Sequence, residues 1–222
     1  MSFRGWNRCE KPGPKRKEIT TTITMLRIGI TGGIGSGKSI VCRLFQVLGT
    51  PVYDSDARAK WLMGNDALLR DQLTAAFGPE TFTGTGQLDR VYLARVAFAD
   101  PVQLARLNAL VHPAVGRDFE AWSVAQQAVG HRYILKEAAL LYESGAYRQL
   151  DQIITVFAPQ AVRQARVLRR DPHRTPDDIL AIIGKQMSEE EKVQRANHVV
   201  HNDDQHLLIP QVLALHGEMV NL

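Results

Sequence analysis

Apolar and polar positions follow two periods along the chain, one typical of buried strands and one typical of amphipathic helices. Residues 26–31 (LRIGIT) are a short apolar run before a glycine cluster, which predicts a buried parallel strand. Over residues 38–48 the apolar positions recur at helical spacing, and Gly49 is placed to end that helix. Residues 51–53 predict a second strand, which ends at Asp54. The order of strand, glycine loop, helix and strand is typical of doubly wound α/β proteins.

The middle of the chain interrupts this order with one helical pattern after another. These patterns cover roughly residues 56–77, 88–99 and 101–127. A Gly/Thr-rich turn at 83–86 separates the first two. We therefore predict a helical insertion over 56–128, between two parts of an α/β core at 25–55 and 129–222.

Strand patterns return in the last third of the chain. They lie at residues 133–135, 153–157 and 198–200. A last helix, over about 205–219, places apolar residues at helical spacing and is expected to pack on the sheet. No apolar run reaches the roughly 18 residues that a membrane-spanning helix needs, so we expect a soluble protein.

Charge and cysteine content narrow the function classes. The 222 residues carry a formal net charge of +4, but residues 1–24 hold six of the 27 basic groups and two of the 23 acidic groups. The remaining residues balance to zero, so neither a nucleic-acid partner nor a membrane partner is expected. Cys9 and Cys42 stand 33 positions apart with no ligand pair beside either, which argues against a disulfide framework or zinc cluster and favours the cytoplasm.

The basic N-terminal segment has three open interpretations. It lacks the apolar middle of a secretory signal and contains Pro12 and Pro14. A disordered tail, a start codon placed upstream of the natural one, and an organelle-targeting segment all fit residues 1–24. Met25 directly precedes the first predicted strand and is a plausible natural start.

Residues 32–39 (GGIGSGKS) carry the strongest chemical signal. They fit the phosphate-loop pattern G-x-x-x-x-G-K-[ST] and lie between a predicted strand and a predicted helix, as that motif requires. Lys38 is expected to reach the β- and γ-phosphates of a nucleoside triphosphate, and Ser39 to coordinate Mg²⁺. The predicted nucleotide contacts are Gly33, Ile34, Gly35, Ser36, Gly37, Lys38, Ser39 and Ile40. A GTPase base-reading motif N-K-x-D is absent, as is a strand that ends in Asp-Glu.

Carboxylates follow two of the predicted strands, at the sheet edge where α/β proteins bind ligands. Asp54 and Asp56 come after the second strand. A kinase needs a carboxylate to orient the acceptor hydroxyl and take its proton, and Asp54 is best placed for that. Either aspartate could instead cap the following helix. Glu137 and Glu143 come after the third strand and could line the acceptor pocket or lie near the metal, although Glu143 could also be a solvated acid.

An arginine cluster lies beside a proline-bounded loop. Its members are Arg163, Arg166, Arg169 and Arg170. Residues 168–178 are predicted to form a small lid that brings Arg170 over the γ-phosphate, where its charge would stabilise the transition state. Arg163 is expected on a solvated face, where its removal would have little effect.

Six segments together resemble the dephospho-coenzyme A kinase family. They are ITGGIGSGKS (30–39), VYDSDARA (52–59), LNALVHPAV (107–115), EAALLYESG (137–145), RVLRRD (166–171) and HVVHND (198–203). The resemblance covers residues 26–217. It implies transfer of the γ-phosphoryl of ATP to the ribose 3′-hydroxyl of dephospho-CoA, a P-loop core, a helical acceptor domain and a lid. We expect a monomer or a weak homo-oligomer.

The resemblance assigns roles to single residues. Asp54 becomes the acceptor-side base, Arg170 the lid arginine, and Asn202 a residue near the adenine of ATP. Residues expected at the acceptor are Asp56, His112, Glu137, Leu140 and Glu143. Without the family, His112 before Pro113 would favour a helix end. Several positions depart from the commoner family pattern: Ile40, Ser55, Glu137 and Ala139. The alternatives are another small-molecule or nucleotide kinase on the same core, and a regulatory NTPase.

Overall fold

A computed structural model describes residues 25–222, so the interpretations of residues 1–24 lie outside the described residues. Its centre is a parallel five-stranded sheet in the order β2-β3-β1-β4-β5. The strands are β1 (Leu26–Thr31), β2 (Val52–Asp54), β3 (Tyr133–Glu137), β4 (Gln152–Phe157) and β5 (His198–His201). All five strand predictions are confirmed.

Helices connect and cover these strands. In chain order they are α1 (Lys38–Val47), α2 (Ser55–Asn65), α3 (Ala67–Phe77), α4 (Arg90–Ala99), α5 (Pro101–Val129), α6 (Gln160–Arg170), α7 (Pro176–Ile183), α8 (Glu189–Arg195) and α9 (Leu208–Asn221). Short 3₁₀ helices lie at Pro79–Thr81 and Ala146–Gln149. Helices α2 to α5 follow one another without a strand between them, as the sequence predicts for the insertion.

Short polar side chains move two helix boundaries from their predicted positions. The pattern over 56–77 is two helices, because the Asp66 carboxylate accepts a hydrogen bond from the Leu69 backbone N–H (2.7 Å) and begins α3. The last helix starts at Leu208, because Asp203 holds the N–H groups of the residues before it in a turn.

The helical pattern over 101–127 is confirmed, and His112 does not mark the helix end that Pro113 alone would favour. Helix α5 continues through Pro113 to Val129. A proline removes one backbone hydrogen bond. Core packing offsets that cost, because Val111 and Ala114 on either side are buried against the sheet and the neighbouring helices.

The two faces of the sheet have separate cores. On one face, Tyr53 and Ile134 pack with α2, α3, α4 and α5, and the Tyr53 hydroxyl donates to Asp118 of α5 (2.6 Å). On the other face, Ile28 and Leu135 pack with α1 and α9. Alternate residues of each strand therefore face different helices. Within residues 25–222, no helix combines the length and apolar character needed to cross a membrane.

Candidate active site

The phosphate loop runs from the end of β1 into α1. Gly35 and Gly37 have φ values of 80° and 91°, which side chains with a Cβ rarely adopt. No side chain caps α1, whose N-cap is Gly37. The first backbone N–H groups of the helix are therefore free to bind an anion, with the positive end of the helix dipole behind them. Lys38 Nζ donates to the Gly32 carbonyl (2.9 Å) and stays folded over the loop.

Two side chains from distant parts of the chain contact the loop. Asn202, just after β5, donates through Nδ2 to the Ser36 carbonyl (2.7 Å) and lies against Gly37. Gln186, between α7 and α8, accepts through Oε1 from the Ile34 backbone N–H (3.0 Å). The structure thus brings Asn202 to the phosphate loop, and its contact with adenine stays a prediction. A glutamine between two short helices carries no motif, so the sequence alone does not predict the contact of Gln186 with the loop.

Arg163 is not on a solvated face, and that expectation is wrong. It is only 4% exposed, it donates through Nε to the Ala158 carbonyl (3.1 Å), and it packs directly beneath Gly33 and Gly35. Spacing within α6 could not reveal this, because the buried side of that helix faces the phosphate loop rather than an apolar surface.

Arg163→Ala is expected to destabilise the protein by about 1–3 kcal/mol, because it removes a buried hydrogen bond and the packing beneath the phosphate loop. It should also weaken ATP binding. Denaturant unfolding and nucleotide titration would measure the two effects. Arg169→Ala, on the exposed side of the same helix, should leave both nearly unchanged. Equal stability of the two variants would contradict the placement of Arg163.

The carboxylates after β2 have different surroundings. Asp54 caps α2, because its Oδ1 accepts from the Ala57 backbone N–H (2.9 Å). Asp56 lies in the first turn of α2 and lines the large cavity described below. Desolvation there and the nearby Asp54 carboxylate raise the pKa of Asp56. The capping alternative therefore applies to Asp54, and one oxygen of that carboxylate remains outside the cap.

A third carboxylate completes a charged cluster around Lys38. Glu137 pairs in register with Asp54 across β2 and β3. Burial lowers the pKa of Lys38, and the charges of Glu137 and Asp56 oppose that shift. Burial likewise raises the pKa of Glu137, while Lys38 opposes. The thiol of Cys42, buried on α1, has a raised pKa for the same reason. The ammonium of Lys38 thus lies between the backbone of the phosphate loop and the carboxylates at the adjacent edge of the sheet.

A cavity of about 970 Å³ opens beside this edge, between the sheet and the inserted helices. Three of the five residues predicted at the acceptor line it, namely Asp56, His112 and Leu140. Partial desolvation lowers the pKa of His112, which favours the neutral ring, a group that can donate and accept hydrogen bonds. Much of the remaining wall is apolar, which suits a large ligand with neutral parts.

The structure places the other two predicted acceptor residues outside the cavity lining. The side chain of Glu137 faces α1 and Lys38. Successive side chains of a strand point to opposite faces of the sheet, and the preceding residue, Lys136, faces α5. Glu143 accepts from the Met187 backbone N–H (2.7 Å) and ties the loop after β3 to the segment between α7 and α8. The end of a strand thus predicts that a residue lies at the edge of the sheet, but it does not predict which face of the sheet the side chain occupies.

The segment predicted as a lid covers the end of α6, a loop and the start of α7. Arg170, at the end of α6, is 64% exposed at its side chain and forms a bidentate ion pair with Asp171 (3.1 and 2.9 Å). The pair raises the pKa of Arg170 and lowers that of Asp171. Arg170 does not contact the phosphate loop here, so its transfer to the γ-phosphate stays a prediction.

A parallel sheet, a phosphate loop at the end of β1, and a cavity that meets it at carboxylates define the class of P-loop phosphotransferases. The comparisons with known proteins agree. The sequence pattern of the family described as "Dephospho-CoA kinase" matches residues 26–207. The chain belongs to the dephospho-CoA kinase family, and it is an ATP-dependent kinase.

Individual relatives support the same family. A curated dephospho-CoA kinase of Bacteroides fragilis (strain YCH46) is 41% identical over 190 residues, which cover 86% of this chain and 91% of that protein. One from Deinococcus radiodurans is 43% identical over 79% of this chain and 83% of its own length. A solved Thermus thermophilus structure titled TT1252 superposes with a TM-score of 0.75 at 37% identity, over 87% of this chain and 97% of that one.

Proposed function

We propose that this enzyme transfers the γ-phosphoryl group of Mg²⁺-bound ATP to the ribose 3′-hydroxyl of dephospho-CoA. One observation carries the proposal: Asp56 lines the 970 Å³ cavity and lies near enough to Lys38 of the phosphate loop and to Asp54 for their charges to act on it. An in-line transfer needs donor and acceptor on opposite sides of such a junction. Membership of the family supports ATP and dephospho-CoA as the two substrates.

The backbone of the phosphate loop binds the triphosphate of ATP. Its free N–H groups bind the β- and γ-phosphates, and the ammonium of Lys38 turns from the Gly32 carbonyl to the phosphate oxygens. Gln186 must release the Ile34 N–H when a phosphate oxygen takes its place. Asn202 and Arg163 hold the loop in shape during this exchange.

On the acceptor side, Asp54 orients the 3′-hydroxyl and takes its proton late in the transfer. Its helix cap fixes one oxygen of the carboxylate and leaves the other for the substrate. Asp56 and His112 bind the acceptor within the cavity. The helix cap thus holds the Asp54 carboxylate in a fixed position, which a general base needs in order to take the proton of the hydroxyl.

A divalent metal fits the loop, because the exposed hydroxyl of Ser39 stands in the first turn of α1 beside Lys38. Ser39 and the phosphate oxygens would hold Mg²⁺, which supplies charge neutralisation when bound. Among residues 25–222 no cluster of three or more His, Cys, Asp or Glu side chains has metal-binding geometry.

The proposal includes cytoplasmic location and a monomer or weak homo-oligomer, without nucleic-acid or membrane partners. The charge balance of residues 25–222 and the buried free thiol of Cys42 support it. Size-exclusion chromatography with light scattering would test the oligomeric state. A stable tetramer would contradict it.

An acceptor panel tests the function directly. ADP release from Mg-ATP is followed with no acceptor, with dephospho-CoA, and with nucleoside monophosphates. We expect turnover with dephospho-CoA alone and formation of coenzyme A. Turnover without acceptor would favour a regulatory NTPase, and turnover only with monophosphates would favour a nucleotide kinase. Either result would refute the proposed reaction.

A further inference from the structure

A buried lysine lines the acceptor cavity. Lys136, the fourth of the five residues of β3, is 3% exposed and is one of the residues that line the cavity. It faces α5, where its Nζ lies 4.1 Å from the centre of the Phe119 ring. No carboxylate of the described residues lies within ion-pair distance of it. Burying an ammonium without a counter-ion is costly, so an interior strand position normally holds an apolar residue.

The neighbouring charges leave Lys136 without a partner inside the protein. Glu120 of α5 is the acidic group that favours its charged form, but the carboxylate of Glu120 is held by Arg27 of β1 at 2.6 Å. Arg27 itself disfavours the charge on Lys136. Lys136 therefore lines the cavity without a counter-ion from the described residues.

Burial lowers the pKa of Lys136 to about 8, with Glu120 opposing and Arg27 adding to the shift. An anion in the cavity would favour the protonated form and would draw a proton onto the amine. The other ionisable groups that line this cavity are Asp56 and Lys60 on α2, and His112, Arg117 and Glu120 on α5.

We propose that Lys136 binds the 5′-diphosphate of the acceptor through its ammonium group. This inference rests on the proposed function, which puts dephospho-CoA in this cavity. Adenosine and the pantetheine arm are neutral, so the diphosphate is the anionic part of that ligand. Lys136 pairs in register with Tyr53, the residue before Asp54. Asp54, which orients the 3′-hydroxyl, and Lys136 are thus carried by neighbouring strands of the sheet.

Lys136→Met tests this assignment, because methionine keeps the length and apolar stem of the side chain and removes the charge. Calorimetric titration with dephospho-CoA at pH 7 should show binding weakened by about tenfold or more. The melting temperature should stay level or rise, since an unpaired buried charge has been removed. Lys60→Met removes a charge from the exposed rim of the same cavity and should weaken binding less.

The pH dependence gives a second readout. Between pH 7 and pH 9 the wild-type affinity should fall by about tenfold, because an amine with a pKa near 8 loses its proton over that range. The Lys136→Met variant should lose this dependence. Unchanged affinity in the variant, or a lower melting temperature at unchanged affinity, would show that Lys136 only packs against Phe119 and would overturn the inference.

The two proposals fail in different ways. Wild-type protein that binds dephospho-CoA without phosphorylating it would refute the proposed reaction and leave the role of Lys136 intact. Wild-type protein that phosphorylates dephospho-CoA, together with a Lys136→Met variant of equal affinity and equal pH dependence, would refute only the role of Lys136.

Discussion

Asp54→Asn is expected to lower the rate of dephospho-CoA phosphorylation by about 10²–10⁴-fold and to leave ATP affinity unchanged. That range is usual for a positioned general base. Asparagine is a good helix N-cap, so its side-chain oxygen can keep the bond from the Ala57 N–H and preserve the start of α2. The variant therefore loses the charge and basicity of residue 54 but not its structural role. Steady-state ADP release at saturating dephospho-CoA, beside nucleotide titration, measures both quantities.

Asp56→Asn is the matched comparison, because it makes the same chemical change two residues away on the cavity side. We expect a smaller loss of rate and a higher KM for dephospho-CoA, since Asp56 lines the acceptor cavity. Near wild-type transfer by Asp54→Asn with abolished transfer by Asp56→Asn would assign the base to Asp56. If neither variant loses activity, the proposed acceptor site fails.

Arg170→Ala is expected to lower kcat by on the order of 10²-fold or more, since arginines that neutralise the transition state of phosphoryl transfer contribute about 10³–10⁵. In the structure Arg170 is paired with Asp171 and is largely exposed, so its removal should hardly change the melting temperature. A rate loss without a stability loss would separate a role in transfer from a structural one. Initial rates at saturating ATP and dephospho-CoA, with thermal unfolding, give both numbers.

The neighbouring Arg169 supplies the control for that experiment. It lies on the same last turn of α6 and is also exposed. Arg169→Ala should keep kcat within about twofold of wild type. An equal decrease in kcat for the two variants would mean that the rate depends on the total positive charge at the end of α6. It would contradict a specific position of Arg170 over the γ-phosphate.

The sequence predicted the elements that depend on local pattern. The phosphate loop and the five strands carry their signals in consecutive residues, so their positions agree with the structure. Helix boundaries depended on single polar contacts, as at Asp66, and were less accurate. The helical pattern over 101–127 correctly predicted that α5 continues through Pro113, although a proline alone favours a helix end.

The candidate site was predicted in its parts but not in its arrangement. Asp56, His112 and Leu140 do line one cavity, whereas Glu143 binds a backbone N–H elsewhere. Arg163 looked like a surface residue because helical spacing says nothing about which side of α6 meets the phosphate loop. Lys136 carries no local signal of its place in the sheet, because the apolar run that predicts β3 covers only residues 133–135.

The alternation of β3 has a consequence for how this site can change. Lys136 faces the inserted helices and Glu137, the next residue, faces α1. Two neighbouring residues of one strand thus place a cation, Lys136, on one face of the sheet and an anion, Glu137, on the other. A one-residue shift in the register of β3 would move each charge to the opposite face of the sheet, so the acceptor cavity and the surroundings of Lys38 would both be disrupted. Point substitutions at 136 and 137, by contrast, can tune the two sides independently.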